Sequence, residues 1–346
     1  MSAIITDQLR ILNAKNFVST ATSSVNSYYS FVGLPNATNY SSTWDTNPPA
    51  PKDSFEQEND YWDTMVALKK ITASDVRRMV NRYTWTSGVT YDMYRGDISR
   101  TNTAKPSGAT SLYSSKYFVV NEDFKVYICL QNGTNPENTS GRPSLDQPTF
   151  TDLEPKAAGN SGDGYIWKYL YTVSPSDIIK FDSTEYITVP NSWDKTTDSQ
   201  IRSIRENGDS SINSNQIKHV YIDKQGGNYA DGLGQECNII GDGTGGKARV
   251  DVVNGKITDV TVSAGGKGYS YGLVDLGTLN SAVPSNNRAK LVPIIPPSLG
   301  HGYDAYTELG TDKVLIYARF DDSTKDFPTD TKFSQVGIVK NPTAVG

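Results

Sequence analysis

The stretch GDGYIWKYLYTV, residues 162–173, constrains the fold of this chain more than any other segment. From position 165 an aromatic residue stands at every second position, which is the period of a β-strand and not of a helix. The glycines at 162 and 164 allow a tight turn into this strand. The alternation predicts one face formed by Tyr165, Trp167, Tyr169 and Tyr171 and an opposite face formed by Ile166, Lys168, Leu170 and Thr172.

The four rings predict either a buried core or an interface. Tyrosine outnumbers phenylalanine by 21 to 10 in the chain, and a tyrosine ring buries a large area while it keeps a polar hydroxyl. A sheet–sheet or subunit interface with trapped water satisfies such hydroxyls more easily than a dry core does. Because Tyr, Trp and Arg are the usual anchors of interfaces, we take these residues as interface candidates: Tyr165, Trp167, Tyr169 and Tyr171.

Other segments share the two-residue period, so the sequence predicts a mainly β chain. Residues 117–131 indicate a β-hairpin whose turn lies near Asn121–Asp123. Residues 185–190, 314–320 and 333–342 indicate further strands.

Helices are predicted at two places in the first hundred residues. Apolar residues have roughly helical spacing within the first thirty positions. Thr72 and Asp75 resemble a capping box, and they predict a short helix over 73–82. The proline-rich segment 35–55 predicts an extended loop.

A glycine-rich repeat predicts a second kind of β structure. The segment IKHVYIDKQGGNYADG (217–232) recurs as ITDVTVSAGGKGYSYG (257–272), and this region holds 13 of the 29 glycines. Between the copies, two alternating strands are joined by Asn254–Gly255, the favoured pair for a type I′ turn. The predicted domains are an inserted glycine-rich β module, 215–298, and a core formed by 1–214 and 299–346.

Composition narrows the classes of partner. The net charge is −5 and the pI is near 5.2, so the basic footprint of a duplex-binding protein is missing and no nucleic-acid partner is expected. No apolar run approaches the ~20 residues of a membrane span, so no membrane insertion is expected. The N-terminus lacks the pattern of a signal peptide, and the two cysteines form no zinc motif. These features predict a soluble protein made in a cytoplasm.

Four patterns were weighed as candidate chemistry, and none predicts a catalytic, cofactor or metal site. GDGTGGK (241–247) resembles a P-loop, but Ala248 replaces the Ser or Thr that binds Mg²⁺ and a strand is predicted to follow. His219 and His301 are too few for a zinc triad, and no GxSxG motif supplies a nucleophilic serine. A paired-carboxylate hydrolase stays open, because such pairs meet only in space. The aspartates near glycines, which leave a calcium loop open, are Asp163, Asp231 and Asp242.

One basic cluster is present in the first hundred residues. It is predicted to be either a solvated helix face or a docking surface for an acidic partner subunit. We take Arg77 and Arg78 as interface candidates and expect at least one of them to pair with a carboxylate. The cluster consists of Lys69, Lys70, Arg77, Arg78 and Arg82.

Several blocks resemble a known family. GDGYIWKYLY (162–171), EYITVP (185–190) and FSQVGIVKNP (333–342) resemble the dimeric baseplate wedge protein of contractile-tailed, T-even-like bacteriophages. WDTMVALKKITASDVRRMVNRYTW (62–85) and VYICL (126–130) follow in the matching order.

The resemblance implies a layered β-sandwich with a few short helices on loops, and a structural role without enzymatic activity or cofactors. It implies a homodimer that contacts other wedge subunits in the virion tail baseplate, assembled in the host cytoplasm. The glycine-rich module is then an insertion, and because family members continue beyond the Asn-Pro motif, a longer protein is expected. Two alternatives stay open, a carbohydrate-binding module that uses exposed Tyr and Trp, and a cell-wall hydrolase.

Overall fold

The computed structural model of the chain describes residues 5–34, 41, 43, 46–47, 50, 54–208, 216–280, 282–321, 333 and 335–342. Short helices and many antiparallel strands confirm the mainly β class. The helices are α1 (Asp7–Ala21), α2 (Phe55–Thr64), α3 (Pro175–Phe181), α4 (Ser199–Gly208), α5 (Gly277–Asn280) and α6 (Ala305–Leu309). The strands are β1 (Tyr28–Gly33), β2 (Met65–Lys70), β3 (Val76–Asn81), β4 (Phe118–Val120), β5 (Lys125–Asn132), β6 (Tyr165–Thr172), β7 (Tyr186–Val189), β8 (Val220–Lys224), β9 (Gly232–Gly241), β10 (Thr244–Val253), β11 (Lys256–Lys267), β12 (Gly272–Val274), β13 (Lys290–Pro293), β14 (Lys313–Ile316) and β15 (Gln335–Lys340).

The chain divides into two compact units. The first comprises Met1–Met79, Ile179–Phe181 and Asp312–Gly346, and the second comprises Val80–Ile178 and Asp182–Thr311. Both boundaries of the predicted module, 215–298, lie inside the second unit, so its insertion into a separate core stays a prediction.

The first unit contains an antiparallel sheet in the order β15-β1-β2. Strand β14 pairs with the beginning of β3, from Lys313 opposite Met79 to Ile316 opposite Val76. A small apolar cluster lies in this unit, and its buried members are Ala21, Tyr28, Ile71 and Val76.

The helix predicted over 73–82 is wrong. The capping box is present, but it closes a single 3₁₀ turn over Ala73–Asp75, and the backbone is extended from Val76 onward as β3. Spacing of a few apolar residues fits either structure over so short a segment. Pairing with β14 supplies the backbone partners of a strand, and β-branched residues such as Val76 suit that environment.

The other predictions for the first unit have mixed outcomes. The helix predicted for the first thirty residues is present as α1, but it ends at Ala21 and a strand begins at Tyr28. The buried residues of α1 are Ile11, Ala14 and Ala21. The loop predicted over 35–55 lies largely outside the described residues. Strands β14 and β15 confirm the strands predicted near 314–320 and 333–342, although β14 is shorter than predicted.

In the second unit, β4, β5 and β6 form one antiparallel sheet. The predicted hairpin is confirmed, with Phe118 opposite Ile128. Its turn is fixed by Asn121, whose side-chain Oδ1 accepts hydrogen bonds from the backbone N–H groups of Asp123 (3.0 Å) and Lys125 (2.9 Å). This sheet lies at the centre of the largest apolar cluster of the described residues.

Strands β8 to β13 surround a second apolar cluster, and we call these strands the glycine-rich module. Strands β11-β10-β9-β12 form one antiparallel sheet, and β13 pairs with β8. The ring of neighbours continues from β12 to β13 and from β8 to β11. The turn between β10 and β11 has positive φ at both Asn254 (52°) and Gly255 (71°), as a type I′ turn requires.

The 40-residue repeat corresponds to one structural device used twice. Gly226 (φ 68°) and Gly266 (φ 63°) each lie against the ring of the tyrosine three residues later, Tyr229 or Tyr269. A Cβ at Gly226 would stand 2.8 Å from its ring, and one at Gly266 would stand 2.7 Å from its ring. Each hydroxyl then accepts a hydrogen bond from a backbone N–H, from Ala289 at 2.8 Å and from Gly246 at 3.0 Å.

Candidate functional site

The aromatic ladder of β6 lies in the interior of the second unit. Its four side chains, Tyr165, Trp167, Tyr169 and Tyr171, are each at most 1% exposed. A side chain buried to this extent within one chain has no surface left to contact a second chain or a sugar. In this fold the ladder is core, so these four rings are not available to the carbohydrate-binding alternative.

The rings form separate groups instead of one continuous face. Tyr165 stacks on Trp167 with ring centroids 5.3 Å apart, whereas Tyr169 packs on Tyr127 and Tyr171 packs on Trp193. The pairing register of β5 and β6 shifts twice along the ladder. Such bulges interrupt the simple alternation from which one common face was predicted.

The chain itself supplies partners for the buried hydroxyls. Tyr165 donates to the carbonyl of Arg142 (2.7 Å), and Tyr171 donates to the carbonyl of Thr188 (3.0 Å). Tyr169 shares a hydrogen bond with the hydroxyl of Thr172 (2.8 Å). The long segment between β5 and β6, which contains Arg142, therefore packs over the ladder and satisfies part of its polar groups.

A buried lysine stands in the same strand. Lys168 is 0% exposed, and its Nζ donates to the carbonyl of Leu153 (2.7 Å) and to Oδ1 of Asn207 in α4 (3.2 Å). Oε1 of Glu154 accepts from Asn207 (2.7 Å), and both carboxylate oxygens of Glu154 accept from Nζ of Lys218 (2.9 and 3.0 Å). We call Lys168, Leu153, Glu154, Asn207 and Lys218 the lysine cluster.

The lysine cluster ties together four parts of the second unit, namely β6, the segment before it, the C-terminal end of α4 and the residues just before β8. Burial lowers the pKa of Lys168 to about 8, with a further lowering by the charge of Lys218. The alternation of YIWKYLYT assigned this lysine only to the face opposite the ladder. On that face Lys168 lies between Ile166 and Leu170, and this is the one sequence signal of a buried charge.

The two candidate interface arginines lie on a strand. Arg78 is buried at 9% exposure, whereas Arg77 is half-buried. Arg77 donates to the carbonyls of Ala73 (3.1 Å) and Val76 (2.9 Å), and its guanidinium lies 5.4 Å from the ring centre of Phe181. In the same basic cluster, Arg82 pairs with the carboxylate of Asp182 at 2.7 Å.

The P-loop-like stretch and His301 both have partners that explain them without a bound ligand. The GxxxxGK stretch forms the end of β9, a turn and the beginning of β10, so no helix N-terminus follows it to hold a phosphate. His301 pairs with Glu308 at 2.5 Å, and both side chains are buried. Among the described residues, no group of three or more His, Cys, Asp or Glu side chains is arranged to hold a metal ion.

The aspartates proposed for a calcium loop bind backbone N–H groups. Asp163 accepts from Leu145 (2.8 Å) and Tyr165 (2.9 Å). Two further aspartates do the same in the glycine-rich module: Asp231 accepts from Asn254 (3.1 Å) and Gly255 (2.7 Å), and Asp242 accepts from Ser270 (2.9 Å) and Tyr271 (3.2 Å). Hydrogen bonds from Ser270 lower the pKa of Asp242 to about 2.

Apolar side chains are exposed on β9 and β12 of the glycine-rich module and on the residue before β12. Leu273 in β12 lies directly opposite Ile240 in β9. Leu273 is 54% exposed, Ile240 is 51% exposed and the neighbouring Tyr271 is 63% exposed. Clustered exposed apolar side chains of this kind mark contact surfaces more often than scattered ones do.

In the described ranges, no helix has the length and apolar character needed to cross a bilayer.

Comparison with known families gives one finding. Residues 129–225 match the family model described as Phage-Gp8: Bacteriophage T4, Gp8, which covers under a third of the chain. No curated protein matches the chain. The matched range contains β6 and the whole lysine cluster, and the match supports a structural role in a phage baseplate wedge.

Proposed function

We propose that this chain is a structural subunit of the baseplate wedge in a contractile phage tail. It acts as a homodimer and joins neighbouring wedge proteins during tail assembly and host attachment, without catalytic activity or a cofactor. The observation that carries this proposal is the match of residues 129–225 to the T4 Gp8 family model. The virion tail baseplate is then its location, after assembly in the host cytoplasm.

The interior of the matched range suits a part that holds its neighbours in register. Its core consists of large rings, and the hydroxyls of Tyr165 and Tyr171 are bonded to backbone carbonyls of the same chain. Close-packed interiors of this kind transmit strain with little deformation. The ladder thus supports an interface indirectly, by keeping the outer surface in a fixed shape.

The contact surfaces are proposed to lie outside the ladder. The exposed apolar group of Ile240, Tyr271 and Leu273 is one of them. Arg77 is the second, because it keeps part of its side chain at the surface of β3. Arg78 is not used as a test of the contact, because it is buried and its substitution would affect folding as well as assembly.

Two measurements test this proposal. A cryo-EM map of the tail baseplate from the phage that encodes the chain should contain two copies of it in each wedge. Sedimentation of the purified chain at micromolar concentration should show a dimer, and the interface between the two copies in the map should bury more than ~1,000 Å² in total, as specific interfaces do. A baseplate map without the chain would refute the structural role, whereas a monomer in solution would refute only the homodimer.

A charge reversal tests the proposed contact at Arg77. Arg77→Glu should lower incorporation into baseplates while the thermal midpoint of the isolated chain changes little. Lys15→Glu, a reversal at an exposed position of α1 outside the basic cluster, is the matched control. Unchanged incorporation of Arg77→Glu would identify the basic cluster as a solvated surface.

A further inference from the structure

The glycine-rich module contains an incomplete seam between β8 and β11. The two strands run antiparallel, and single backbone hydrogen bonds join them at each end, Ile217 N–H to Gly265 O (3.0 Å) and Ile257 N–H to Gln225 O (3.1 Å). Between these bonds, residues 218–224 and 258–264 form no ladder with each other in the described part of the chain. Each strand has its regular partner only on its other side, β13 for β8 and β10 for β11.

A groove of about 530 Å³ follows this seam. One wall consists of residues 218–222 and the other of residues 258–262, so five consecutive residues of each strand line it. Gln131 of β5 and Ile166 of β6 also line the groove, together with Arg142 from the segment between these two strands. This volume lies within the ~300–1,000 Å³ that is usual for binding clefts.

Two polar atoms at the groove are buried without a partner among the described residues. They are Nε2 of His219 and Oε1 of Gln131. The amide nitrogen of Gln131 already donates to the carbonyl of Thr134 (3.1 Å), so its oxygen remains as an acceptor. A buried polar atom without a hydrogen bond costs about 1–3 kcal/mol, so both atoms favour an occupant that carries donors and acceptors.

We propose that this groove receives an extended segment of a neighbouring wedge protein, which adds as a strand at the open seam. An extended backbone presents N–H and C=O groups on both of its edges, which matches the open edges of β8 and β11. Arg142 is exposed at the groove and has no carboxylate partner among the described residues, so the segment is expected to carry an acidic side chain there. This inference rests on the proposed function, because the segment belongs to another baseplate protein.

Amide hydrogen exchange followed by mass spectrometry tests the inference on the full chain, free and in purified baseplates. In a strand at the edge of a sheet, about half of the amides point away from the neighbouring strand. We expect about three of the seven amides in 258–264 to exchange at least ten times more slowly in the baseplate than in the free chain.

A matched pair of variants distinguishes docking in the groove from a general slowing of amide exchange in the baseplate. Thr261 is exposed and lines the groove, whereas Ser263 is exposed on the same strand and does not line it. Thr261→Arg should reduce incorporation into baseplates at least tenfold, and Ser263→Arg should leave it within twofold of the unmodified chain. Thermal midpoints of both variants should equal that of the unmodified chain, which separates loss of docking from loss of folding.

The outcomes separate this inference from the proposed function. If the chain is present in the baseplate and 258–264 exchange as fast there as in the free chain, the docking inference is overturned and the structural role stands. If these amides are already slow in the free chain, the seam is closed within one molecule, which also overturns it. If the chain is absent from the baseplate, both proposals fail.

Discussion

The ladder sheet and the glycine-rich module solve the same packing problem in different ways. The ladder sheet, β4-β5-β6, fills its core with large rings, among them Trp167, Tyr169 and Tyr171, all essentially unexposed. The glycine-rich module fills its core mainly with Val, Ile, Leu and Ala, and among its described residues only Tyr229 and Tyr269 contribute rings. The first region therefore depends on side-chain volume, and the second depends on close approach of backbones.

This difference decides where polar groups become a problem. Each buried tyrosine of the ladder brings a hydroxyl into the core, and the surrounding backbone carbonyls have to accept its hydrogen bond. The module brings few such groups, but its tight corners need glycines with positive φ that no larger residue replaces without strain. Substitutions should consequently be most damaging at rings in one region and at glycines in the other.

The largest expected effect comes from truncating the ladder. Trp167→Ala should lower the free energy of unfolding by about 3–5 kcal/mol, because a fully buried ring is lost and a cavity remains. Val250→Ala, at an equally buried position of the module, should cost about 2 kcal/mol, because fewer buried carbon atoms are removed. Urea unfolding of both variants measures the difference. Equal costs would show that the two cores do not differ in their dependence on volume.

The buried ammonium of Lys168 gives the next effect, which depends on pH. Burial lowers its pKa to about 8, while the unfolded chain keeps the ordinary value near 10.5. The unfolded state binds more protons at this lysine between these two values, so its own contribution to the free energy of unfolding, taken relative to Lys168→Met, should rise with pH across this window, by up to about 3 kcal/mol. Below pH 8 this contribution is lost.

Lys168→Met is the matched variant for this titration. It keeps a long unbranched side chain and removes the charge, so the rise in stability between pH 8 and 10.5 should disappear. Lys247→Met, at a lysine paired with Glu236 on the module surface, should keep the rise. A pH profile that is the same for the unmodified chain and Lys168→Met would show that this lysine does not titrate in the window.

Local patterns predicted the strands well where the side chains alone decide the structure. The period of two identified β6, the hairpin of β4 and β5, and β7, and the Asn254–Gly255 pair identified a turn that needs two positive φ angles. The helix predicted over 73–82 failed because the partner of β3 is β14, which lies more than 230 residues later in the chain. Pairing over such a separation leaves no local signal.

The candidate sites were harder to predict for the same reason. The partners of Lys168 lie 15 and 39 residues away in sequence, so only the structure brings them together. The sequence leaves core and interface open for the ladder, because its hydroxyls need partners and the segment that supplies one of them, near Arg142, has the sequence of an ordinary loop. The open seam of β8 and β11 depends on how six strands surround one core, which no single segment encodes.

The glycine corners of the module provide a smaller and sharper contrast. Gly266 (φ 63°) and Gly234 (φ 62°) have nearly the same backbone conformation, so Ala should cost about 1 kcal/mol at each from φ alone. A Cβ at Gly266 would stand 2.5 Å from both Gly246 N and Thr244 O, whereas a Cβ at Gly234 meets no atom within 4 Å. Gly266→Ala should therefore cost about 2 kcal/mol more than Gly234→Ala. Similar costs in denaturant unfolding would mean that the corner relaxes, and that backbone approach is not the limit in the module.

The smallest expected effect compares one hydroxyl from each region. The hydroxyl of Tyr269 accepts from Gly246 N–H (3.0 Å) and donates to Ile239 O (2.8 Å), so it joins two buried backbone groups of the module. The hydroxyl of Tyr171 donates to a single carbonyl, that of Thr188. Because phenylalanine keeps the ring and removes the hydrogen bonds, Tyr269→Phe should cost about 2 kcal/mol and Tyr171→Phe about 1 kcal/mol.

Tyr271→Phe is the control for this last pair, since its ring is 63% exposed and its hydroxyl is open to water; its free energy of unfolding should change by less than ~0.5 kcal/mol. The order of the two buried variants is the informative result. If Tyr171→Phe costs more than Tyr269→Phe, hydroxyl satisfaction matters most in the ladder. Tyr269 would then stabilise the module mainly through the packing of its ring, although its hydroxyl forms two hydrogen bonds.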